Sequence, residues 1–189
     1  MTTVAIQRLD EGVRTTLVGH FLALPVKDRR LRFGASLAPT VIAAYVDGID
    51  FDHDAVFGVH DDRLALVGVA HLAFGDNRAE VGLSVLPAHR GLGLGGALFK
   101  RAVAHARSRC TPRLFMHFLS GNAPIMRIAR RFGMDIVAGA GGGAEAELML
   151  PPASPMAFAA EFVTDTFALY DRALKALVAA WKHRRRQSV

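Results

Sequence analysis

The sequence predicts an α/β (α+β) domain, a mixed sheet with helices packed on it, occupying residues 1–150 and followed by a linker and helical extension over 151–189. Three observations predict it. Short strand-like runs interleave with runs whose apolar residues recur every three or four positions. Two of the strand-like runs, AVFGV and RLALVGVAHLAF, are joined by the acidic turn HDDR and read as a hairpin. A third, AEVGLSVLP, leads into HRGLGLGGALFK, where Gly91, Gly93, Gly95 and Gly96 stand at the entrance to an amphipathic helix.

Taken in order, VAIQRL reads as a strand, and GVRTTLVGHFLALP has helical spacing that ends at Pro25. LAPTVIAAYVDGI is a second helix, with Pro39 in its first turn and Gly48 near its end. The hairpin and AEVGLSVLP follow, the latter closed by Pro87. In GALFKRAVAHARSR, Leu98, Ala102, Val103 and Ala106 share one face, and the cations are expected to point away from it. RLFMHFL is a strand, NAPIMRIARRFG a helix stopped by Gly133, and MDIVA and AEAELML are strands joined through GAGGG. PPASP is a stiff connector. Beyond it Val163, Phe167, Tyr170, Leu174, Leu177 and Trp181 form one apolar stripe ending at KHRRR, suited to docking on the domain or on a second copy in a homodimer.

A chain of 189 residues, 51% hydrophobic, 21% charged and with mean hydropathy +0.25, has the composition of one folded domain. Its single cysteine, Cys110, excludes an intramolecular disulfide and offers no thiol cluster for zinc, so no metal is expected. The start reaches Asp10 and Glu11 before any long apolar run, and no stretch attains the ~18 apolar residues of a membrane span. The expectation is a cytoplasmic protein without a membrane partner.

Net charge +6 points to an anionic partner, and its distribution says where. Between Val81 and Met134 there is no acid, while nine Lys and Arg residues occur, Arg90, Lys100, Arg101 and Arg131 among them. Nucleic acid is the weaker reading, because no aromatic cluster interleaves with these cations. The glycines lie inside the cationic span, which favours a phosphate loop. Gly91, Gly93 and Gly96 match a dinucleotide fingerprint, but the acid required about 20 residues later is missing, since none occurs before Asp135. Gly91 and Gly96 have P-loop spacing, but Ala97 and Leu98 stand where Lys and Ser or Thr must be. The third reading takes Arg90, Gly93 and Gly95 as R-x-x-G-x-G at a strand-to-helix junction, where successive N–H groups and the helix dipole form an anion nest.

This segment resembles the acetyl-CoA loop of the GNAT superfamily of N-acetyltransferases. The likeness runs from Val56 to about Leu150, with AEVGLSVLPAHRGLGLGGALFKRAV as central strand, loop and helix, and LFMHFLSGNAPIMRIARRFGM as the next strand, turn and helix. It implies a mixed, mostly antiparallel sheet and acetyl transfer from coenzyme A directly to a small-molecule or peptide amine, with no covalent enzyme intermediate. It further implies that Arg90, Gly91, Leu92, Gly93, Gly95 and Gly96 hold the pyrophosphate. Leu83 and Val85 would pair with the pantetheine arm, Gly82 would mark a bulge parting the strands, and Asn122 would bond the cofactor while also suiting a helix N-cap.

Transfer to an amine requires a base, because an alkylammonium with a pKa near 10 must first lose a proton. Glu80, opening the central strand among apolar neighbours where many members of the family carry a catalytic carboxylate, is the candidate, and the resemblance implies the Val85 N–H as donor to the developing oxyanion. The family often places a Tyr at the position of Ala129. Its absence leaves the acid unassigned, with His117, Ser120 or water as substitutes. His71, Glu145 and Glu147 are further candidates for acceptor contact, and Cys110 lies away from the proposed thioester. A non-catalytic acyl-CoA-binding module is the alternative reading.

Overall fold

The computed structural model describes residues 4–152 and Ala173. The predicted C-terminal stripe therefore lies outside the described residues. Among the described residues seven strands form one sheet in the order β1-β2-β3-β4-β5-β7-β6. They are β1 (Gln7–Leu9), β2 (Ala55–His60), β3 (Leu66–Gly75), β4 (Arg78–Val85), β5 (Arg113–Leu119), β6 (Asp135–Ala138) and β7 (Gly143–Met149). Every neighbouring pair is antiparallel except β4 and β5.

The helices are α1 (Arg14–Ala23), α2 (Val26–Phe33), α3 (Pro39–Asp47), α4 (Leu94–Ser108) and α5 (Ala123–Arg131). Strand alternation sends side chains to opposite faces, and the core divides accordingly. One face carries Leu72, Val81, Leu83 and Leu114 with Leu98 and Phe99 of α4 and Ala129 of α5. The other carries Val56 and Val69 with Leu17 and Phe21 of α1 and Ile42 and Val46 of α3.

The helices depart from the sequence expectations in two places. Helix α2 is absent from the sequence reading because three arginines, a lysine and an aspartate break its apolar period. Its boundaries nevertheless carry ordinary signals, Pro25 immediately before it and Gly34 after it at φ 77°. In α4 the cations do not all point away. Arg101 is buried, its guanidinium carbon 4.5 Å from the centroid of Phe57, where a planar and weakly hydrated cation packs on an aromatic face.

The site depends on how β4 is paired. Its β3 edge is bonded along the whole strand, Gly68↔Val85 to Gly75↔Arg78, without a register shift. Its β5 edge pairs only at Ala79↔Leu114 and Glu80↔Phe115. Beyond Glu80 the two parallel strands part, while β5 stays paired to β7 throughout. The expected bulge at Gly82 is not there, since the sheet's register shift falls at Val59/His60. Gly82 is a glycine for another reason: a Cβ on it would collide with the guanidinium of Arg32.

Candidate functional site

A cavity of about 590 Å³ opens where β4 and β5 separate. Leu83, Ser84 and Val85 supply one wall, the turn from Arg90 to Gly96 the end, Asn122 and α5 the opposite wall, and Leu24 with Asp28, Leu31 and Arg32 of α2 the cover. Of the predicted cofactor residues, Leu83, Val85, Arg90, Gly91, Gly93, Gly95, Gly96 and Asn122 all line it. Leu92 does not, and its side chain is 67% exposed.

The turn is built by its glycines. Gly91 and Gly93 take φ values of 78° and 79°, a left-handed conformation that L side chains rarely adopt. Gly93 caps α4, leaving the first N–H groups of a fifteen-residue helix without intrahelical acceptors and directed at the turn. Gly95 permits close packing, as a Cβ there would lie 3.1 Å from Ile128 Cδ1.

Charge is one-sided. Among the described residues the lining holds Arg32, Arg90, Arg127 and Arg131 against a single acid, Asp28. Arg90 donates through Nε to the Val85 carbonyl at 3.1 Å and pairs with Asp28 at 2.9 Å, so the turn is tied both to β4 and to α2. Asn122 is buried and caps α5, its Oδ1 accepting from the Ile125 N–H at 3.3 Å while Nδ2 donates to the Leu31 carbonyl at 3.4 Å. The predicted cap is therefore present, and the same side chain fastens α5 to α2 on the cavity wall.

Glu80 sits at the last β4–β5 pairing step, outside the cavity lining. Its surroundings are not the apolar ones expected. Its carboxylate, with the side chain 56% exposed, is 3.2 Å from His117 Nδ1, and His117 Nε2 is 2.7 Å from Glu145. Partial burial opposes protonation of His117, but the two flanking carboxylates outweigh it and raise its pKa.

The remaining candidates have other employment. Ser120 donates to the carbonyls of Gly142 and Gly143, closing the loop before β7. Glu147 lies 3.9 Å from Arg113. Ala129 is fully buried and, as an alanine, supplies no phenol from that place. Cys110 is exposed, beyond the end of α4 and outside the lining.

His71 belongs to a network that sequence reasoning does not reach. Its Nδ1 is 2.7 Å from Tyr45 Oη and its Nε2 2.9 Å from Asp54 Oδ2, while Arg32 donates to the same Tyr45 oxygen at 3.0 Å. Since Asp54 accepts from Nε2–H, Nδ1 is the acceptor and the phenol donates to it. Burial lowers the pKa of His71, Asp54 opposes this, and Arg32 adds to the lowering. His20, with Nδ1 2.9 Å from the Leu66 carbonyl and Nε2 2.8 Å from Ser84 Oγ, is pushed down to about 4, first by burial, with Arg32 adding to it.

Among the described residues no group of three or more His, Cys, Asp or Glu side chains is placed to hold a metal ion, and no helix is long and apolar enough to cross a membrane.

The strand parting, the glycine turn and the helix behind it are the architecture of an acyltransferase domain. The Acetyltransferase (GNAT) family model matches residues 27–134, and the chain belongs to this family. Solved structures agree in fold. The GNAT domain of S. lividans PAT superposes with TM-score 0.65 at 19% identity, over 77% of this chain and 89% of that one. The putative acetyltransferase yncA from Salmonella typhimurium, solved with acetyl-CoA, gives 0.61 at 16% identity over 81% and 97%. The paia N-acetyltransferase from Thermoplasma acidophilum, in complex with coenzyme A, gives 0.60 at 13% over 78% and 99%. Among curated proteins none matches the sequence significantly.

Proposed function

We propose that the protein transfers an acetyl group from acetyl-CoA directly to a primary amine. The observation that carries this reading is the coincidence, in one cavity, of a β4 edge left out of its ladder and a glycine turn that opens helix α4 at its end. The fit is chemical as well as spatial. The N–H groups at the start of α4, with Arg90, Arg127 and Arg131, suit a diphosphate, and the open edge from Val81 to Val85 suits an amide-bearing arm added like a strand.

Acetyl-CoA supplies a thioester acyl group at that edge. Glu80, five residues and so about 16 Å along the extended strand from Val85, takes one proton from the ammonium through a chain of waters, and the Val85 N–H donates to the carbonyl oxygen as charge develops there. The amine nitrogen bonds to the acyl carbon and the carbon–sulfur bond breaks. The nitrogen's second proton is lost as the amide forms; one proton goes to the thiolate and the other to solvent. His117, held between Glu80 and Glu145, orients the Glu80 carboxylate at the mouth of the parted strands.

Calorimetry with acetyl-CoA and thiol release with a panel of amines test the reading. Glu80→Gln is expected to lower kcat by about 10²-fold, at the lower end of general base contributions, with the acetyl-CoA Kd unchanged. A second reading, a non-catalytic acyl-CoA-binding module, is favoured by the buried Ala129. Binding without thiol release from any amine would decide for it.

A further inference from the structure

We propose that Arg32 receives a carboxylate of the acceptor, so that the amine acetylated here belongs to an amino acid rather than to a neutral or polycationic amine. The inference rests on the transferase reading above and names the substrate class of the same cavity.

The guanidinium of Arg32 lines the cavity and lies directly over Gly82, on the stretch of β4 that has parted from β5. Among the described residues the groups in contact with it are uncharged. Tyr45 Oη accepts from it at 3.0 Å, and the rings of Phe33, Phe21 and Tyr45 lie 4.9, 5.8 and 5.8 Å from its central carbon. Among the described residues no carboxylate lies within 4.0 Å of it, and its buried Nε has no hydrogen-bond partner. The nearby histidines, His20 and His71, are both shifted toward their neutral forms. A half-buried cation without a carboxylate partner, fixed by aromatic walls and a phenol, is costly unless an anion completes it. A carboxylate does so with two parallel charge-assisted bonds, a geometry that a guanidinium matches and an ammonium does not.

Coenzyme A phosphates are the other source of negative charge, and position argues against them. The anion nest lies at Gly91–Gly96, beyond the C-terminal end of β4, and has Arg90 beside it. Arg32 stands upstream, over the middle of the strand. Its neighbourhood to the parted edge leaves room for a carboxylate only a few bonds from the attacking nitrogen, as in an amino acid.

The test pairs each of the twenty amino acids with its carboxamide in a thiol-release assay, using the full chain, Arg32→Gln and Arg32→Lys. Turnover is expected among the free carboxylates, with kcat/KM at least 30-fold above the matching amide. Arg32→Gln should raise the acceptor KM at least tenfold and abolish that preference, Arg32→Lys should recover only part of it, and the acetyl-CoA Kd should stay within twofold. Calorimetric titration of the best amino acid into the protein saturated with coenzyme A should lose its signal in Arg32→Gln. Equal use of amides, failure of every carboxylate while acetyl-CoA still binds, or equal weakening of acetyl-CoA by Arg32→Gln would each overturn the assignment. Wild-type protein that does not bind acetyl-CoA would overturn the transferase reading, and this one with it.

Discussion

The phenol of Tyr45 lies 2.7 Å from Nδ1 of His71, and that bond joins α3 to the middle of β3. It also sets the direction of the whole chain from Arg32 through Tyr45 and His71 to Asp54, because each donor has one acceptor. Tyr45→Phe keeps the ring contacts with Phe21 and Phe33 but strands the acceptor nitrogen of His71 in a part-buried place. Stranding such a group costs about 1–3 kcal/mol. Urea unfolding of the variant should show a loss of at least ~1 kcal/mol with an unchanged m-value, and a loss within a few tenths would mean that water replaces the hydroxyl.

Gly82 makes the same region testable from the strand side. Because the colliding group would be the far end of a flexible side chain, Gly82→Ala is expected to fold, displacing Arg32 instead of deforming β4. Stability should fall by no more than about 1 kcal/mol, while the hydrogen bond to Tyr45 is broken. The readout is the acceptor KM, expected to rise severalfold with the acetyl-CoA Kd retained. An unchanged KM would show that Arg32 does not need its present position.

How much of this is legible in the sequence varies with the physics behind each element. The strands around the hairpin and the helix after the glycine turn announce themselves by period, and the turn by residues whose backbone freedom is its function. The cover of the site does not announce itself. Helix α2 is polar because it closes a cavity and buries none of its own residues, so it has no apolar stripe to read; only Pro25 and Gly34 mark it. The network from Arg32 to Asp54 draws on α2, α3, the loop before β2 and β3, and no spacing along the chain encodes it. Glu80 is marked by its place at the strand opening, but its partner His117 stands across the parallel pairing, visible only once β4 and β5 are side by side.

The turn itself yields a further expectation. A Cβ added to Gly93, at φ 79°, would meet no atom within 4 Å, so Gly93→Ala introduces no clash and isolates the backbone effect. Forcing alanine into the left-handed region costs about 1–2 kcal/mol. If the turn relaxes to avoid that cost, its N–H groups leave their convergence. The acetyl-CoA Kd should then rise about tenfold, with the acceptor KM measured at saturating cofactor little changed. An unaltered Kd would place the diphosphate elsewhere.

His20 gives the clearest dependence on pH. It is 3% exposed, with Nδ1 donating to the Leu66 carbonyl and Nε2 bonded to the Ser84 hydroxyl, and no carboxylate is among these partners to balance a charge on the ring. Burial, aided by Arg32, takes its pKa from 6.5 to about 4. The unfolded chain therefore binds a proton in this window that the native state does not, so stability rises with pH between about 4 and 6.5 and is lost as pH falls through it. A shift of this size corresponds to about 3 kcal/mol. His71, also lowered, acts in the same direction, whereas His117, raised by its two carboxylates, adds stability that is full below the ordinary histidine pKa of 6.5 and is lost as pH rises from there through its native pKa. Unfolding free energy measured from pH 7 down to pH 4 should fall for the wild type. His20→Gln, which cannot take up a proton, should start lower at pH 7 and decline distinctly less, the two curves converging near pH 4. Parallel curves would mean that His20 does not titrate between the folded and unfolded states.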